Sequence, residues 1–435
     1  MLLIDVPLQP SPNLYPAYGT VAPTPGWTCH WAEFHAALHH STFLAGYIDG
    51  ESSTYGFKGL APSVTVSGFE WAKQKSAGSD DLVASTADRS LRLADLINAH
   101  SLDGGPQRVF VAAVDFDPWD RSLVLGQLRN ADLRFTRKLE KTIRDRRPLL
   151  IVAAGQPSDG SDPVPLSPQA PLFPQNLGDL PNVIVVSACD PCSPAHPRLI
   201  PQANFGTGEQ RYVHVAAPGS PTPGWISENA IGAGTGGTSE SAAYVAGIVA
   251  AMISYFPDSY NEPAAVKSRL QVTSRPLPRW IDGNRSDDPD KIAAGIVDPV
   301  LALLDPSAHW LKDGGKYRKV KIKAWSANTF LFQNPSNDHD NYVSTNAIRR
   351  ITQSADGANW VAVYSDRSLD RAVEGDAEPA PGEVRRISPA VVAKQPAQTI
   401  TLCDVAGGPT RQRSLPDIDD LIISIKGVGD NECGR

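Results

Sequence analysis

The sequence predicts an α/β chain: a mostly parallel sheet flanked by helices on both faces, followed by a small β-rich C-terminal domain. Three observations predict it. Short, largely apolar runs without charge (Leu2 to Ile4, Val109 to Val114, Leu149 to Ala154 and Asn182 to Ala188) alternate with segments of helical spacing, the pattern of strands buried on both faces. Three of these runs stop on a polar side chain (Asp5, Asp115 and Gln156), at the carboxyl ends where such sheets collect their functional groups. From about Asp305 the character changes to short strand-like runs separated by turn residues.

Taken in order, Met1 to Asp5 reads as a buried strand, and a proline-rich irregular stretch, Pro7 to Pro25, follows it. His30 to Asp49 has helical spacing and holds His30, His35, His39 and His40. Of these, His35 and His39 share a face at i, i+4 and could hold a metal, whereas His39 and His40 point apart. Gly59-Leu60-Ala61-Pro62 turns into a strand, Val64 to Phe69. Ser85 to His100 and Asp132 to Arg146 read as helices, and Ala264 to Thr273 as a helix closed by Arg275-Pro276. Asp282 to Asp290 reads as an exposed loop, and Val297 to Leu304 as a last short helix. Beyond Asp305, Lys312 to Lys323, Thr329 to Phe332, Trp360 to Tyr364, Ile400 to Cys403 and Leu421 to Ile425 read as strands, and Glu374 to Pro396 as a long loop. The expected division is residues 1–305 and 306–435.

Composition narrows the function classes. With 435 residues, 41% hydrophobic and 20% charged, the chain has globular composition, and a net charge of −7 argues against nucleic acid as a general partner. No apolar run reaches the length of a membrane span, and the N-terminal residues lack the basic region of a secretory signal. As written, the expectation is a cytoplasmic protein, or a secreted one if the true N-terminus lies upstream. The five cysteines are an odd number, which leans towards a reducing compartment. Cys189-Asp190-Pro191-Cys192, with His196 beyond, has the spacing of half a zinc site, but no second half is evident.

The most informative stretch is Gly234 to Pro257. Small residues crowd its start and an uncharged run, Val245 to Ile253, follows, so a glycine-rich turn is expected to feed a buried helix. Ser239 at that junction is an N-cap or a nucleophile. Gly237-Thr238-Ser239, Ser241-Ala242 and Val245-Ala246-Gly247 resemble the nucleophile segment of the subtilisin-like serine proteases, the subtilases. Other segments resemble the family in the same order. Leu3-Ile4-Asp5 is similar to its aspartate strand, and His40-Ser41-Thr42-Phe43-Leu44-Ala45-Gly46 to its histidine motif. Gly59-Leu60-Ala61-Pro62, Ala153-Ala154-Gly155-Gln156, Ala203-Asn204-Phe205-Gly206 and Ala216-Ala217-Pro218-Gly219 match its turns and strand ends.

The resemblance implies a subtilisin-like fold and a serine endopeptidase acting on protein or peptide substrates. Ser239 would be the nucleophile, His40 the general base and then acid, and Asp5 the group that orients His40. Gln156 would be the oxyanion-hole donor, one methylene longer than the family's asparagine; in subtilisin, losing that donor costs about 10²–10³ in turnover. Asp115, Phe116 and Asp117 would line the substrate channel and favour a basic substrate side chain, unless they form a solvated loop. His40 read alone could also be a buried core histidine.

The chain departs from the family pattern at Val6, Pro7, Gln156, Glu240 and Ala243. Val6, Pro7, Gln156, Glu240 and Asp117 keep open an alternative, a degenerate subtilase that binds peptides or a partner protein without cutting. The β-rich domain would be a targeting or substrate-presenting module under either reading. No cofactor is required. Calcium is implied by the family, but Asp287, Asp288 and Asp290 lack a ligand order.

Overall fold

A computed structural model of the chain describes residues 1–5, 38–52, 57–62, 64–70, 91, 93–101, 109–113, 134–157, 162–167, 172–207, 212–227, 230–234, 236–278, 280–281 and 284–326. Of the remainder it describes 329–333, 340–344, 348–353, 360–364, 384–387, 399–405, 410–414 and 417–425. The chain divides into two compact units. One comprises residues 1–193, 197–264 and 290–292, and the other 194–196, 265–289 and 293–435.

In the first unit, β1 (Leu2–Asp5), β2 (Ser67–Glu70), β3 (Val109–Ala112), β4 (Leu149–Ala153), β5 (Val183–Cys189) and β6 (Val215–Pro218) lie in the order β2-β1-β3-β4-β5-β6. Every neighbouring pair is parallel. All residues of β3, β4 and β5 are buried, as their uninterrupted Val, Ile, Leu and Ala content requires of strands covered on both faces. Because the strands are parallel, their carboxyl ends share one edge. Asp5, Ala113, Gln156, Cys189 and Pro218 all lie on or just beyond it.

Helices α1 (Leu38–Asp49), α2 (Arg134–Arg146) and α3 (Thr238–Tyr255) belong to this unit. In α2, Leu139 and Ile143 are buried while Glu140–Arg144 and Lys141–Asp145 pair at i, i+4 on the outer face. Asn182, just before β5, donates its Nδ2 to the carbonyls of Ile143 and Pro148 (3.0 and 2.8 Å) and so closes the end of α2. Helix α3 has no polar face to turn outward until its last turns, and its residues from Ala242 to Met252 are buried apart from Tyr244. It packs on β3, β4, β5 and β6. Among the described residues no helix is long and apolar enough to cross a membrane.

The second unit is built on an antiparallel sheet. Its strands are β7 (His309–Asp313), β8 (Lys316–Trp325), β9 (Ile348–Gln353), β10 (Trp360–Tyr364), β11 (Val384–Ile387), β12 (Thr399–Asp404), β13 (Arg411–Ser414) and β14 (Asp420–Ile422). They lie in the order β11-β10-β9-β14-β7-β8-β12-β13. The alternation over Lys312 to Lys323, expected as one strand, is a hairpin. Its turn, Gly314-Gly315, has φ of 56° and 78° at the two centres, which a two-residue hairpin loop requires. Strand β11 falls within Glu374 to Pro396, expected as loop. Helix α4 (Pro263–Thr273) ends where Arg350 Nη1 takes the carbonyls of Val272 (2.9 Å) and Ser274 (2.7 Å). The same guanidinium grips Asp420 bidentately, and Tyr317 Oη donates to Asp420 Oδ2 (2.6 Å). A short helix, α5 (Pro299–Ala302), is capped by Asp298, which accepts from Val300 N and Leu301 N.

Asp305 illustrates how this unit responds to acid. Its Oδ1 accepts from Ser307 N (2.9 Å) and Oγ (2.6 Å), and its Oδ2 from Lys319 Nζ (2.8 Å). Burial pushes its pKa up, but the bonds from Lys319 and Ser307 prevail and hold it at about 2. The folded value lies below the ordinary carboxylate value of about 3.9, so its stabilisation is complete above about pH 4 and disappears as pH falls through about 2. Asp305→Asn is expected to cost about 1 kcal/mol at pH 7, the group being partly exposed, and nothing near pH 2. Thermal melts of both proteins at pH 7, 4 and 2 check this.

Candidate active site

The glycine-rich turn before α3 positions the candidate nucleophile. Gly236 and Gly237 have φ of 76° and 133°, a region that residues with a Cβ rarely enter, and Gly237 is the N-cap of the helix. Ser239 is therefore the second helical residue and not a cap. Its Oγ donates to the carbonyl of Ala113 (2.8 Å), directly after β3. Gly237 N donates to Gly219 O (2.8 Å), and Ser241 Oγ lies 3.0–3.1 Å from the carbonyls of Ala217, Pro218 and Gly237. The head of α3 is thus fastened to the end of β6.

Gln156 meets this turn from the other side. Its side chain folds against Gly237, where a Cβ would lie 2.5 Å from Oε1 and 2.7 Å from Nε2. The methylene that distinguishes it from asparagine is accommodated because Gly237 has no side chain. Gln156 Oε1 accepts from Thr238 N (3.3 Å), and Thr238 Oγ1 accepts from Gly155 N (3.1 Å), so the two segments are laced together. Behind them, Asn204 holds the end of β4 through Nδ2 to Ala154 O and N to Gly155 O (2.9 Å each), and Gln175 Nε2 reaches Ala153 O (2.9 Å).

Glu240, next to Ser239, is buried with 2% exposure. Its Oε1 accepts from Gly236 N (3.0 Å), so the carboxylate turns back to the glycine turn and satisfies a backbone donor at the positive end of the helix. Tyr47 of α1 has its pKa pushed up to about 12, first by burial and then by the nearby negative charge of Glu240.

His40 lies in the first turn of α1 and is half-buried. Helix α1 packs against α3, β1 and the strand Pro223–Ser227. The turn Gly59 to Pro62 closes its far end, with Leu60 N and Ala61 N donating to the carbonyls of Tyr47 and Ile48. Phe43, one turn beyond His40 and 3% exposed, fits between two glycines of the hairpin formed by Pro223–Ser227 and Ala230–Ala233. A Cβ on Gly224 would come within 2.5 Å of its ring, and one on Gly234 within 2.2 Å.

Asp5 ends β1 in register with Glu70 on one side, while the preceding Ile4 lies opposite Ala112 on the other. Its backbone is therefore on the same strand-end edge as Ala113, and its side chain lies outside the described residues. Asp115, Phe116 and Asp117 lie outside them too, as do His30 and His35. The C-x-x-C motif is no half zinc site: Cys189 and Cys192 are joined in a disulfide, so their thiolates are not available to a metal. Among the described residues, Asp287, Asp288 and Asp290 included, no three His, Cys, Asp or Glu side chains converge as metal ligands. Three features were missed in the sequence: the Ala113 carbonyl, the Thr238 hydroxyl and the glycine socket for Phe43. Only Thr238, inside the Gly237-Thr238-Ser239 motif, carried a signal there.

A model of the subtilase family matches residues 11–295, well over half of the 435 residues. The chain belongs to the subtilase family. This subtilase is 25% identical over 324 residues to mycosin-1 of Mycolicibacterium smegmatis (strain ATCC 700084 / mc(2)155), a match covering 65% of this chain and 63% of that protein. The chain thus spans under two thirds of that relative's length. Among solved structures it is similar to the prenylagaramide maturation protease PagA (18% identity, TM-score 0.48, 69% of this chain and 91% of that one). It is also similar to the MycP3 protease from the type VII (ESX-3) secretion system (24% identity, TM-score 0.49, 70% and 83%).

The Phe43 socket gives a direct test of how α1 is seated. Gly234→Ala is expected to cost about 1–3 kcal/mol through overpacking. Adding Phe43→Leu should return part of that loss, so that the pair is less damaging than the sum of the two. Thermal or denaturant unfolding of the three variants reads it.

Proposed function

We propose that this subtilase is a serine endopeptidase that hydrolyses peptide bonds through Asp5, His40 and Ser239 by way of an acyl-enzyme. The observation that carries the reading is that Ser239 Oγ lies at the head of a buried helix beside the strand-end edge, while the Gln156 amide folds against the turn that leads into that helix. Ser239 Oγ attacks the peptide carbonyl while His40 takes its proton. His40 then passes that proton to the leaving amine, and Asp5 holds the imidazole in the required tautomer. Water hydrolyses the ester with His40 again as base.

Negative charge develops on the carbonyl oxygen. Two donors are proposed to meet it: the Ser239 N–H, among the first amides of α3, which have no intrahelical acceptor, and Gln156 Nε2. With Gln156 Oε1 turned to Thr238 N, Nε2 is the end of the amide that carries donors. Asp115, Phe116 and Asp117 are proposed to line the substrate channel, with the two carboxylates selecting a basic side chain. Substrates are proteins or peptides, and the β-rich unit is proposed to engage a partner protein.

One observation favours the second reading, a peptide-binding module that does not cut: the Ser239 hydroxyl proton is committed to the Ala113 carbonyl. Under the peptidase reading this bond is exchanged for one to His40 when a substrate enters.

A fluorophosphonate probe is expected to form an adduct at Ser239 in the folded chain and none in Ser239→Ala. Peptide hydrolysis should fall by about 10⁶-fold in Ser239→Ala and about 10²–10³-fold in Gln156→Ala. Measurable peptide affinity with neither adduct nor turnover would overturn the peptidase reading in favour of the second.

A further inference from the structure

The Cys189–Cys192 disulfide plays no part in the chemistry proposed above, yet it adjoins the turn that holds Ser239. Cys189 is the last residue of β5 and fully buried, whereas Cys192 is half-buried and flanked by exposed Asp190, Pro191 and Ser193. Arg198 holds the outer side of the small ring, accepting from Asp190 N and donating its own N–H to Pro191 O (2.9 Å each). On the inner side, Gly219 N donates to Cys189 O (3.2 Å) and Ser220 Oγ to Asp190 Oδ1 (2.7 Å).

Gly219 carries the connection onward. Its carbonyl accepts from Gly237 N (2.8 Å), the N-cap of α3. Two backbone hydrogen bonds therefore separate the disulfide from the helix that bears Ser239. There is no slack at the midpoint, since a Cβ on Gly219 would lie 2.6 Å from Ala188 Cβ, 2.8 Å from Gly237 O and 2.9 Å from Ser241 Oγ. A shift of the ring must move the turn.

A stabilising staple explains the bond poorly. The entropy a disulfide removes from the unfolded chain grows with the loop it closes, and this loop is among the shortest a disulfide can close. C-x-x-C with one partly exposed cysteine is, in contrast, the arrangement of centres that exchange with dithiols.

We propose that Cys189–Cys192 is a thiol–disulfide exchange site whose substrate is a dithiol and whose oxidation state sets the order of the Gly219–Gly237 turn. A thiolate of the dithiol attacks Cys192 Sγ, the Sγ–Sγ bond breaks, and Cys189 departs as a thiolate and takes up a proton. The second thiol of the reductant then attacks its own sulfur in the mixed disulfide and releases Cys192, which is protonated in turn. The protein gains two electrons and two protons, and the dithiol becomes a disulfide. The effect on Ser239 rests on the peptidase reading; the exchange and the loosening of the turn do not.

The test treats the folded full-length chain briefly with dithiothreitol. Alkylation with peptide mapping follows Cys189 and Cys192 apart from Cys403, which is also disulfide-bonded. Cys192 is expected to be alkylated in the folded chain, and the buried Cys189 when the chain is denatured in the alkylating reagent after the dithiothreitol has been removed. Amide exchange at Gly219 and Gly237 should speed up by about tenfold as the turn loosens. Fluorophosphonate labelling of Ser239 should slow by about tenfold or more, as small misplacements of reacting groups do, and recover on reoxidation. Cys192→Ser should label at the slow rate whether or not dithiothreitol is present; if that variant does not fold, the reduced wild type supplies the measurement.

A disulfide that dithiothreitol reduces only in unfolded protein overturns the exchange site. Alkylation with unchanged amide exchange, or with unchanged labelling of a chain that labels when oxidised, overturns the coupling. If the amides respond while Ser239 labels in neither state, the exchange site stands and the peptidase reading fails.

Discussion

The constraint on which the first unit depends is the burial of α3. A helix with no polar face along most of its length can lie only between the sheet and the layer that covers it, and its N-terminus is then fixed at one height above the strands. Here that height is the carboxyl edge. The Gly237 N–H to Gly219 O bond and the Ser241 hydroxyl among three carbonyls set the rotation of the helix as well as its position. Ser239 inherits both.

Substitutions that depart from the family pattern become intelligible around this anchor. Glutamine in place of asparagine needs room for one more methylene, and Gly237, already required by its backbone conformation, provides it. Glu240 brings a charge beside Ser239, and Gly236 N donates to it at the end of the helix where a negative group is favoured. In both cases the accommodating atom belongs to the same two-glycine turn. The turn thus serves the backbone and two side chains together, which makes it the least substitutable part of the site.

Much of this was legible in the sequence and some was not, for physical reasons. Strands β3, β4 and β5 announce themselves because burial on both faces admits little but apolar residues. Helix α3 does so because a long uncharged run after glycines has few other solutions. The segments around Ser239 and His40 resembled family motifs in the sequence, since each gathers its matching residues into a few neighbouring positions. The Phe43 socket was not, because the two glycines that admit the ring stand far along the chain from it and look like ordinary hairpin residues. Cys189 and Cys192 were ambiguous for a different reason: one spacing suits a metal, an exchange centre and a staple alike. In the second unit, Gly314-Gly315 was a readable turn signal that the alternation of Lys312 to Lys323 obscured.

The ion pair of Arg350 and Asp420 has a consequence for how the second unit can be shortened or nicked. Both partners are almost wholly enclosed, and the guanidinium also supplies the donors that the last carbonyls of α4 lack. A chain ended near Asp305, where the composition changes, would lose both partners and leave those carbonyls facing neither donor nor compensating charge. A proteolytic cut anywhere between the two partners would leave a fragment carrying only one member of a buried charge pair. By its internal contacts the second unit therefore reaches back past the compositional change near Asp305 to the residues of α4 from 265 onward.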